Sequence, residues 1–481
     1  MRSVVETSGM RRAELPAPER VPVLAMAGVV GVVLLATSAV GGYWFDELYF
    51  VAAGRHAAWG YADQPWLVPV LAAGLDALVP DSPVLLRLPA TLTAALGVVV
   101  TAQIARELGG GRRAQVLAAG AYAVSPWLVS SAHWLATYTL DPFWWLVIGW
   151  LVIRWTRLRE QGADDDRPLL WAGIVTALAL QTKFLVPLLW IGLGVAVLAC
   201  GPRDLLRRPL LWVGAGIAVL VTVPTLVWQA LNGWPYLEFT QVVGAEANRL
   251  DLITAMPVHA GLVGSFFLGY ALWRLSRSDT LRPYRFLAVA FAAVLVLCLV
   301  VDGRSYYTAG MFGPLFAVAA VELARRDLAR WWRWVAWPCY ALSAAATAGM
   351  LALIVASSGA VTTRPAVEPV AAAYHALPPQ TRDRTAIVTE IYPTAATLDH
   401  YAEELGLPGS YSPHRGYWYF GAPPESAENV LYASAGDADR LRPYFARSRP
   451  VDPAVQLWLF EDRTQPWSVV WPQVRFGLST N

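Results

Sequence analysis

Charge is scarce in this chain. Asp, Glu, Lys and Arg make up 15% of its 481 residues, against roughly 25% in an average soluble domain. With 56% of residues hydrophobic, that shortage excludes an ordinary solvated globule. A net charge of +2 excludes a nucleic-acid partner, which would need a basic surface. Cysteine is scarce too. Cys200, Cys298 and Cys339 are odd in number and sit in or beside apolar runs, which excludes a disulfide framework and a cysteine metal site. Lysine is almost absent: Lys183 is the single one, and arginine carries the other basic positions. Fixed-period repeats and low-complexity tracts are absent as well.

What is present is apolar residues in runs of about 17–25, long enough to cross roughly 30 Å of hydrocarbon as helices. Eleven spans are predicted, near 21–42, 84–105, 114–131, 140–153, 168–182, 184–200, 209–230, 257–273, 286–301, 306–323 and 334–356. The fifth and sixth touch at Lys183. The first is read as a retained helix, because its apolar run exceeds the 7–15 residues typical of a signal-peptide core. Loop charge sets the orientation. With the N-terminus inside, the inner segments hold 22 arginines, from Arg2, Arg11 and Arg12 through to Arg330 and Arg333. The outer loops before the tail hold five basic residues: Arg55, Arg87, Lys183, Arg249 and Arg304. This is the asymmetry of the positive-inside rule. The expectation is a multi-pass protein of the cell membrane with a cytoplasmic N-terminus.

After Ser357 the composition turns polar and no spanning run follows. "RTAIVTEIY", "ENVLYAS" and "VQLWLFED" read as strands, and "TAATLDHYAEELG" as an amphipathic helix. The chain therefore divides into an all-α polytopic membrane domain, 1–356, with an outer loop at 43–82, and a C-terminal extracytoplasmic α/β domain, 357–481.

This topology gathers the unusual polar residues at the outer boundary. Ionisable groups in or beside membrane spans are costly and are functional candidates. Asp46 and Glu47 open "DELYFVAAGRHAAWG", a helix lying along the surface; a carboxylate there can act as a base for an acceptor hydroxyl or as a metal ligand. Acidic residues also suit a helix start through the dipole. Asp63 lies in "GYADQPWLVP", where it can equally cap the next helix. His133 and Asp141 lie in "HWLATYTLDPFWW", where Asp141 can be an N-cap with Pro142 at the first helical position. Lys183 in "LQTKFLVP" can snorkel to headgroups or hold a phosphate as a point charge. Arg304 and Tyr306 in "DGRSYYTAG" suit a phosphate and a sugar face, or a plain interfacial loop. Together these groups fit a substrate with an apolar tail, an anionic phosphate and a polar group.

The stretch "FDELYFVAAGRHAAWGYADQPWLVPVLAAGL" resembles the first outer loop of GT-C fold glycosyltransferases that use lipid-phosphate sugars. "VLLRLPATLTAALG", "LATYTLDPFWWL", "ALALQTKFLVPLL", "WQALNGWPYLEF" and "SYYTAGMFGPLFAVAAVEL" follow in the family's order. "TAATLDHYAEELGLPGSYSPHRGYWYFGAPP" is similar to the outer domain of many such proteins. The branch resembled is that of protein O-mannosyltransferases and aminoarabinose transferases. The resemblance implies a polyprenyl-phosphate sugar donor in the outer leaflet and an inverting displacement at the anomeric carbon. It implies an extracytoplasmic acceptor: a cell-envelope glycan, a lipid or a protein. Membrane lipids surround both, and no nucleic acid takes part. By the same resemblance Asp46 is the carboxylate nearest the chemistry and Glu47 supports it. Lys183, Arg304, Asp63, Asp141, Tyr306 and His133 are expected on the donor's phosphate and sugar. In the C-terminal domain, His414, Tyr417 and Trp418, beside Arg415, form a polar-aromatic stretch that suits acceptor recognition or, equally, a lid or packing domain with no direct contact. Relatives differ in whether a divalent metal, Mg or Mn, takes part. Where many relatives have His-Pro-Pro, and the aminoarabinose branch Glu-Lys-Pro, this chain has Gln64-Pro65-Trp66. Phosphate neutralisation is thereby thrown onto Lys183 and Arg304. Two other readings share this lipid site: a transporter or flippase for lipid-linked sugars, and a non-catalytic binder of them.

Overall fold

The computed structural model describes residues 15–326, 332–359, 362–436 and 438–478. Arg2, Arg11, Arg12 and Arg330, which enter the loop-charge argument, lie outside them.

The membrane domain is helical throughout. It comprises α1 (Arg20–Ser38), α2 (Phe45–Arg55), α3 (Leu67–Leu78), α4 (Pro83–Glu107), α5 (Arg112–Ala123), α6 (Pro126–Ser130), α7 (Thr137–Glu160) and α8 (Arg167–Thr182). It continues with α9 (Val186–Cys200), α10 (Pro209–Leu231), α11 (Pro235–Ala245), α12 (Asp251–Thr254), α13 (Met256–Arg277), α14 (Phe286–Val300), α15 (Phe312–Ala324) and α16 (Trp332–Ser357). Proline opens many of these: α4, α8, α9, α10, α11 and α13 each carry one at the first or second position, where no intrahelical N–H is lost. Ser82 caps α4 by accepting from Leu85 N–H at 3.3 Å.

Every predicted span meets helix, with two differences. The third is broken, because Pro126 restarts the chain as α6 after α5 ends at Ala123. The fourth begins a turn earlier than expected, at Thr137. Asp141 and Pro142 therefore lie inside α7, and Asp141 is not its N-cap. Asp63 caps nothing either, since Trp66 precedes α3. Among the described residues, six helical stretches are both long and apolar enough to cross a membrane: Arg20–Ser38, Pro83–Glu107, Pro209–Leu231, Asp251–Arg277, Arg282–Val300 and Trp334–Ser357. Shorter apolar helices such as Val186–Cys200 complete the bundle. The chain is a multi-pass membrane protein. Bare apolar side chains face outward on these helices, Leu220 and Trp212 of α10 among them, as a lipid-facing surface requires.

Small residues let the helices close up. A side chain on Gly173 of α8 would meet the Gly214 backbone of α10 at 2.3 Å. Gly261 kinks α13 with φ +75°, and a Cβ there would press on Pro126 at 2.9 Å. The break in the third span and the kink in α13 thus fit into one another.

The polar end pieces separate cleanly. The loops expected inside meet at one end, tied by Arg157–Glu107, Arg159–Asp204 and Arg274–Glu322. The loops expected outside meet at the other, beneath the C-terminal domain. That domain is a five-stranded mixed sheet in the order β2-β1-β3-β5-β4. Its strands are β1 (Thr385–Thr389), β2 (Ser410–Tyr411), β3 (Asn429–Ala433), β4 (Phe445–Asp452) and β5 (Leu457–Arg463). β1 lies parallel to β2 and β3, while β5 runs antiparallel to β3 and β4. β1 and β3 are buried along their whole length. Ile387 and Leu431 face the core under α17 (Arg364–Ala376) and α19 (Tyr392–His400). Val388, Val430 and Tyr432 face the other side, under Trp467 and Trp471 of α21 (Trp467–Val474). Three of the strands coincide with the predicted ones. β4 escapes notice because its sequence, FARSRPVD, has an exposed edge rather than an apolar run.

Candidate active site

α2 begins the site. Trp44 precedes it in an extended conformation, and Glu47 Oε2 accepts the Trp44 N–H at 2.8 Å, closing the first turn. Asp46 and Glu47 are neighbours in sequence but about 100° apart around the helix, and they face different surroundings.

Glu47 points into the protein. Its two oxygens accept from Arg87 Nε and Nη2 at 2.9 and 2.8 Å, and both side chains are fully buried. Glu47 Oε1 also accepts the Leu135 N–H at 2.9 Å. Arg87, on α4, spends its remaining donors on Ser38 and Gly42 carbonyls, with His133 Nε2 at 3.2 Å. A bidentate pair of this kind is strong and directional. It ties the end of α1, the start of α2, α4 and the chain entering α7. Glu47 and His133 therefore depart from the expectation for them: neither lines the cavity described next, and both belong to the clasp that holds α2.

Asp46 points into a cavity of about 1090 Å³. Asp63 lines the same cavity, as do Lys183, Arg304, Tyr306, His414 and Arg415. The carboxylates are held by tyrosines from different parts of the chain. Tyr392 of α19 donates to Asp46 Oδ1 at 2.7 Å, and Tyr49 of α2 donates to Asp63 Oδ1 at 2.8 Å. Burial pushes the Asp46 carboxyl above its ordinary range, opposed by the Tyr392 bond and the Arg415 charge. Burial likewise pushes Asp63 up to about 6, opposed by Tyr49 and Arg415. Burial holds His414 neutral, down at about 3, with Arg415 and Arg440 adding to the effect.

Cations line the same cavity. α8 ends at Thr182, Lys183 is extended, and Pro187 helps start α9. The break delivers the Lys183 ammonium into the cavity. It lies 4.7 Å from the Tyr307 ring centroid, 5.3 Å from Tyr306 and 6.0 Å from Tyr138, an aromatic enclosure that favours a cation. Tyr306 itself stacks on Trp127 at 4.6 Å. Asp141 is buried and does not line the cavity; its charge favours the Lys183 ammonium, and its Oδ1 has no hydrogen-bond partner among the described residues. Arg304 pairs with Glu246 at 2.5 Å.

The C-terminal domain supplies the roof. α19 packs on α2, with the Tyr392 and Tyr49 rings 4.9 Å apart. Gly416 approaches so closely that a Cβ would lie 1.9 Å from the Tyr49 hydroxyl. Tyr417 and Trp418, expected on the acceptor, lie away from the cavity. Tyr417 is buried and its hydroxyl binds Asp399, while the Trp418 indole donates to the Trp471 carbonyl at 2.8 Å. Both are packing residues. Sequence reasoning does not single out Tyr392, Tyr49, Tyr138 or Glu246, whereas Tyr307 is the second tyrosine of "DGRSYYTAG". Tyr49 and Tyr138 lie inside the quoted motifs; nothing local marks Tyr392 as a partner of Asp46. Among the described residues no three His, Cys, Asp or Glu side chains converge as a metal site.

The chain is similar to known proteins in part of its sequence and in its fold. Residues 63–228 match the family model described as dolichyl-phosphate-mannose-protein mannosyltransferase. Among solved structures, ArnT from Cupriavidus metallidurans bound to undecaprenyl phosphate aligns with a TM-score of 0.60 at 16% identity, over 91% of this chain and 97% of that one. ArnT in the apo state gives 0.62 at 15% identity, over 92% and 98%. This is the GT-C fold. The archaeal oligosaccharyltransferase AglB from Archaeoglobus fulgidus, in complex with an inhibitory peptide and a dolichol-phosphate, aligns at 0.52 with 12% identity, over 92% of this GT-C chain and 74% of its own. No curated protein sequence matches the chain.

Proposed function

We propose that the protein is an integral-membrane glycosyltransferase moving one sugar from a polyprenyl-phosphate donor to an extracytoplasmic acceptor. The observation that carries the reading is one cavity lined by the carboxylates Asp46 and Asp63 and by the cations Lys183 and Arg304. The donor and acceptor classes are supported by analogy: ArnT is seen with undecaprenyl phosphate and AglB with a dolichol-phosphate and a peptide. The sugar phosphate enters from the lipid side toward Lys183 and Arg304. An acceptor hydroxyl meets Asp46, which takes its proton as the oxygen attacks the anomeric carbon. The C–O bond to phosphate breaks, and the electron pair leaves on the phosphate. Lys183 and Arg304 stabilise that charge where it develops, in a site shielded from water. Attack from the face opposite the phosphate inverts the anomeric centre. Tyr392 holds Asp46 in place, and Asp63 with Tyr49 orients the acceptor. By this reading the cavity end of the molecule is extracytoplasmic and the arginine-rich end cytoplasmic.

The test is transfer of labelled sugar from polyprenyl-phosphate donors to candidate glycan, lipid and protein acceptors. Asp46→Asn is expected to lower kcat by about 10²–10⁴, the usual value of a general base. Lys183→Ala is expected to lower kcat/KM by a factor of 10² or so, like the loss of one oxyanion donor. Full transfer by Asp46→Asn would overturn the assignment. Movement of donor across vesicles without a new glycosidic bond would favour the transporter.

A further inference from the structure

α11 and the turn after it form one side of the cavity, through Tyr236, Phe239 and Glu246 among others, and their apolar anchorage is slight: the Tyr236 ring meets Phe184 edge-on at 4.9 Å. Of the helix itself, Pro235 is the residue that is buried, and Leu237 is largely exposed. The helix leaves α10 through Gly233 and Trp234, both at positive φ (+79° and +59°). Beyond the Phe184 contact and the Tyr236 N–H bond to Gln229 Oε1, its ties are ionic. Glu238 pairs with Arg475 of the C-terminal domain at 3.2 Å. Glu246 sits between two arginines, Arg304 at 2.5 Å and Arg415 at 3.2 Å. Arg249 and Asp302 form a pair of opposite polarity beside it. The turn thus offers one anion and one cation to the loop before α15, which offers one cation and one anion in return.

Both arginines held by Glu246 line the cavity. Arg304 also lies close enough to Lys183 for their charges to repel. The Glu246 carboxylate is therefore an anion already seated beside the cations assigned to the donor phosphate. We propose that Glu246 is a built-in counter-anion that the donor's phosphate displaces from Arg304, and that this exchange unlatches the α11 segment over the cavity. The chemistry is a competition between two oxyanions for one guanidinium. The carboxylate holds the segment shut while no phosphate is bound. The phosphate, with Lys183 as a second cation, outbids a half-exposed carboxylate for Arg304. Glu246 then keeps Arg415 alone, and the segment, with one of its ionic ties gone, opens more readily for the acceptor. The inference rests on the donor reading above.

The test uses the full-length protein in detergent, with undecaprenyl phosphate as the probe. Its Kd is measured for the wild type, Glu246→Gln and Glu238→Gln, alongside hydrogen exchange of residues 235–250. Glu246→Gln removes the competitor, so its Kd is expected to tighten about three- to fivefold, the value of a partly exposed ion pair. Residues 235–250 of this variant should exchange rapidly without lipid, as those of the wild type do only with lipid. Glu238→Gln loosens the same helix without touching Arg304. Its exchange should rise while its Kd stays within about twofold of the wild type. An unchanged or weaker Kd in Glu246→Gln, with the wild type binding normally, overturns the latch and leaves the donor reading intact. So does equal tightening in both variants. No binding by the wild type overturns the donor reading and the latch together.

Discussion

Burial pushes the Asp63 carboxyl up to about 6, even though the Tyr49 hydroxyl and the Arg415 charge both pull it down. The sign of the consequence for stability follows from the unfolded value of 3.8. Folding favours the protonated form, so the stability this group contributes is full below pH 3.8 and is lost as pH rises through about 6. At neutral pH the ionised carboxylate is a burden on the fold. Asp63→Asn keeps the shape and removes the charge. It is expected to raise the melting temperature at pH 7.5 by a few degrees while lowering transfer activity, a trade common at active sites. The gain should vanish in scans at pH 4. Because ionised Asp63 orients the acceptor, its titration near 6 is expected to add to that of the base Asp46 in the acid limb of the wild-type pH–rate profile. A limb unmoved in Asp63→Asn, together with a lower melting temperature, would show that Asp63 is a structural anion.

The two acids of α2 show how far an element can be read without its partners. From sequence, Asp46 and Glu47 are an acidic pair at a helix start and look interchangeable. Their separation around the helix turns one to the cavity and one to Arg87. Arg87 itself was counted among outer-loop cations, although it is fully buried on α4. The surface helix, the Lys183 break and most spans were legible, because apolar runs and prolines dictate them locally. The Glu47–Arg87 clasp, the Tyr392–Asp46 bond and the closeness of Gly416 to Tyr49 were not, because each joins residues 40 to more than 340 positions apart. Glu47→Gln leaves the Arg87 guanidinium buried without its counter-charge, which costs about 3–5 kcal/mol. It should appear as a large loss of folded protein in detergent. Gly416→Ala is expected to do something different. A methyl group there meets the Tyr49 hydroxyl and must push it off Asp63. Transfer activity should fall at least tenfold with the membrane domain still folded, and Tyr49→Phe should rescue part of it by making room. No rescue would point to a wider disturbance of the roof.

At the scale of the whole molecule, every segment lining the cavity belongs to one end, and the arginine-tied loops belong to the other. The C-terminal domain closes the cavity end with Tyr392, His414 and Arg415, so the side of the membrane it occupies is the side on which the acceptor is met. The chain carries its own reporter for the opposite side. Cys200 ends α9 among the arginine-rich loops and is exposed, whereas Cys298 is buried. In intact cells a membrane-impermeant maleimide should leave Cys200 unlabelled and should label a new cysteine at Glu403→Cys, an exposed position on α20 (Ala402–Leu405) of the C-terminal domain. Permeabilising the membrane should bring Cys200 up to full labelling, which separates protection by the bilayer from protection by packing. Cys298 and Cys339 are replaced by alanine in both proteins, and Cys200 as well in the Glu403→Cys protein, so that each band reports one position. Labelling of Cys200 in intact cells, with Glu403→Cys silent, would invert the molecule. The carboxylate wall would then face a cytoplasm that supplies activated sugar nucleotides, and a lipid-phosphate donor would lose its reason.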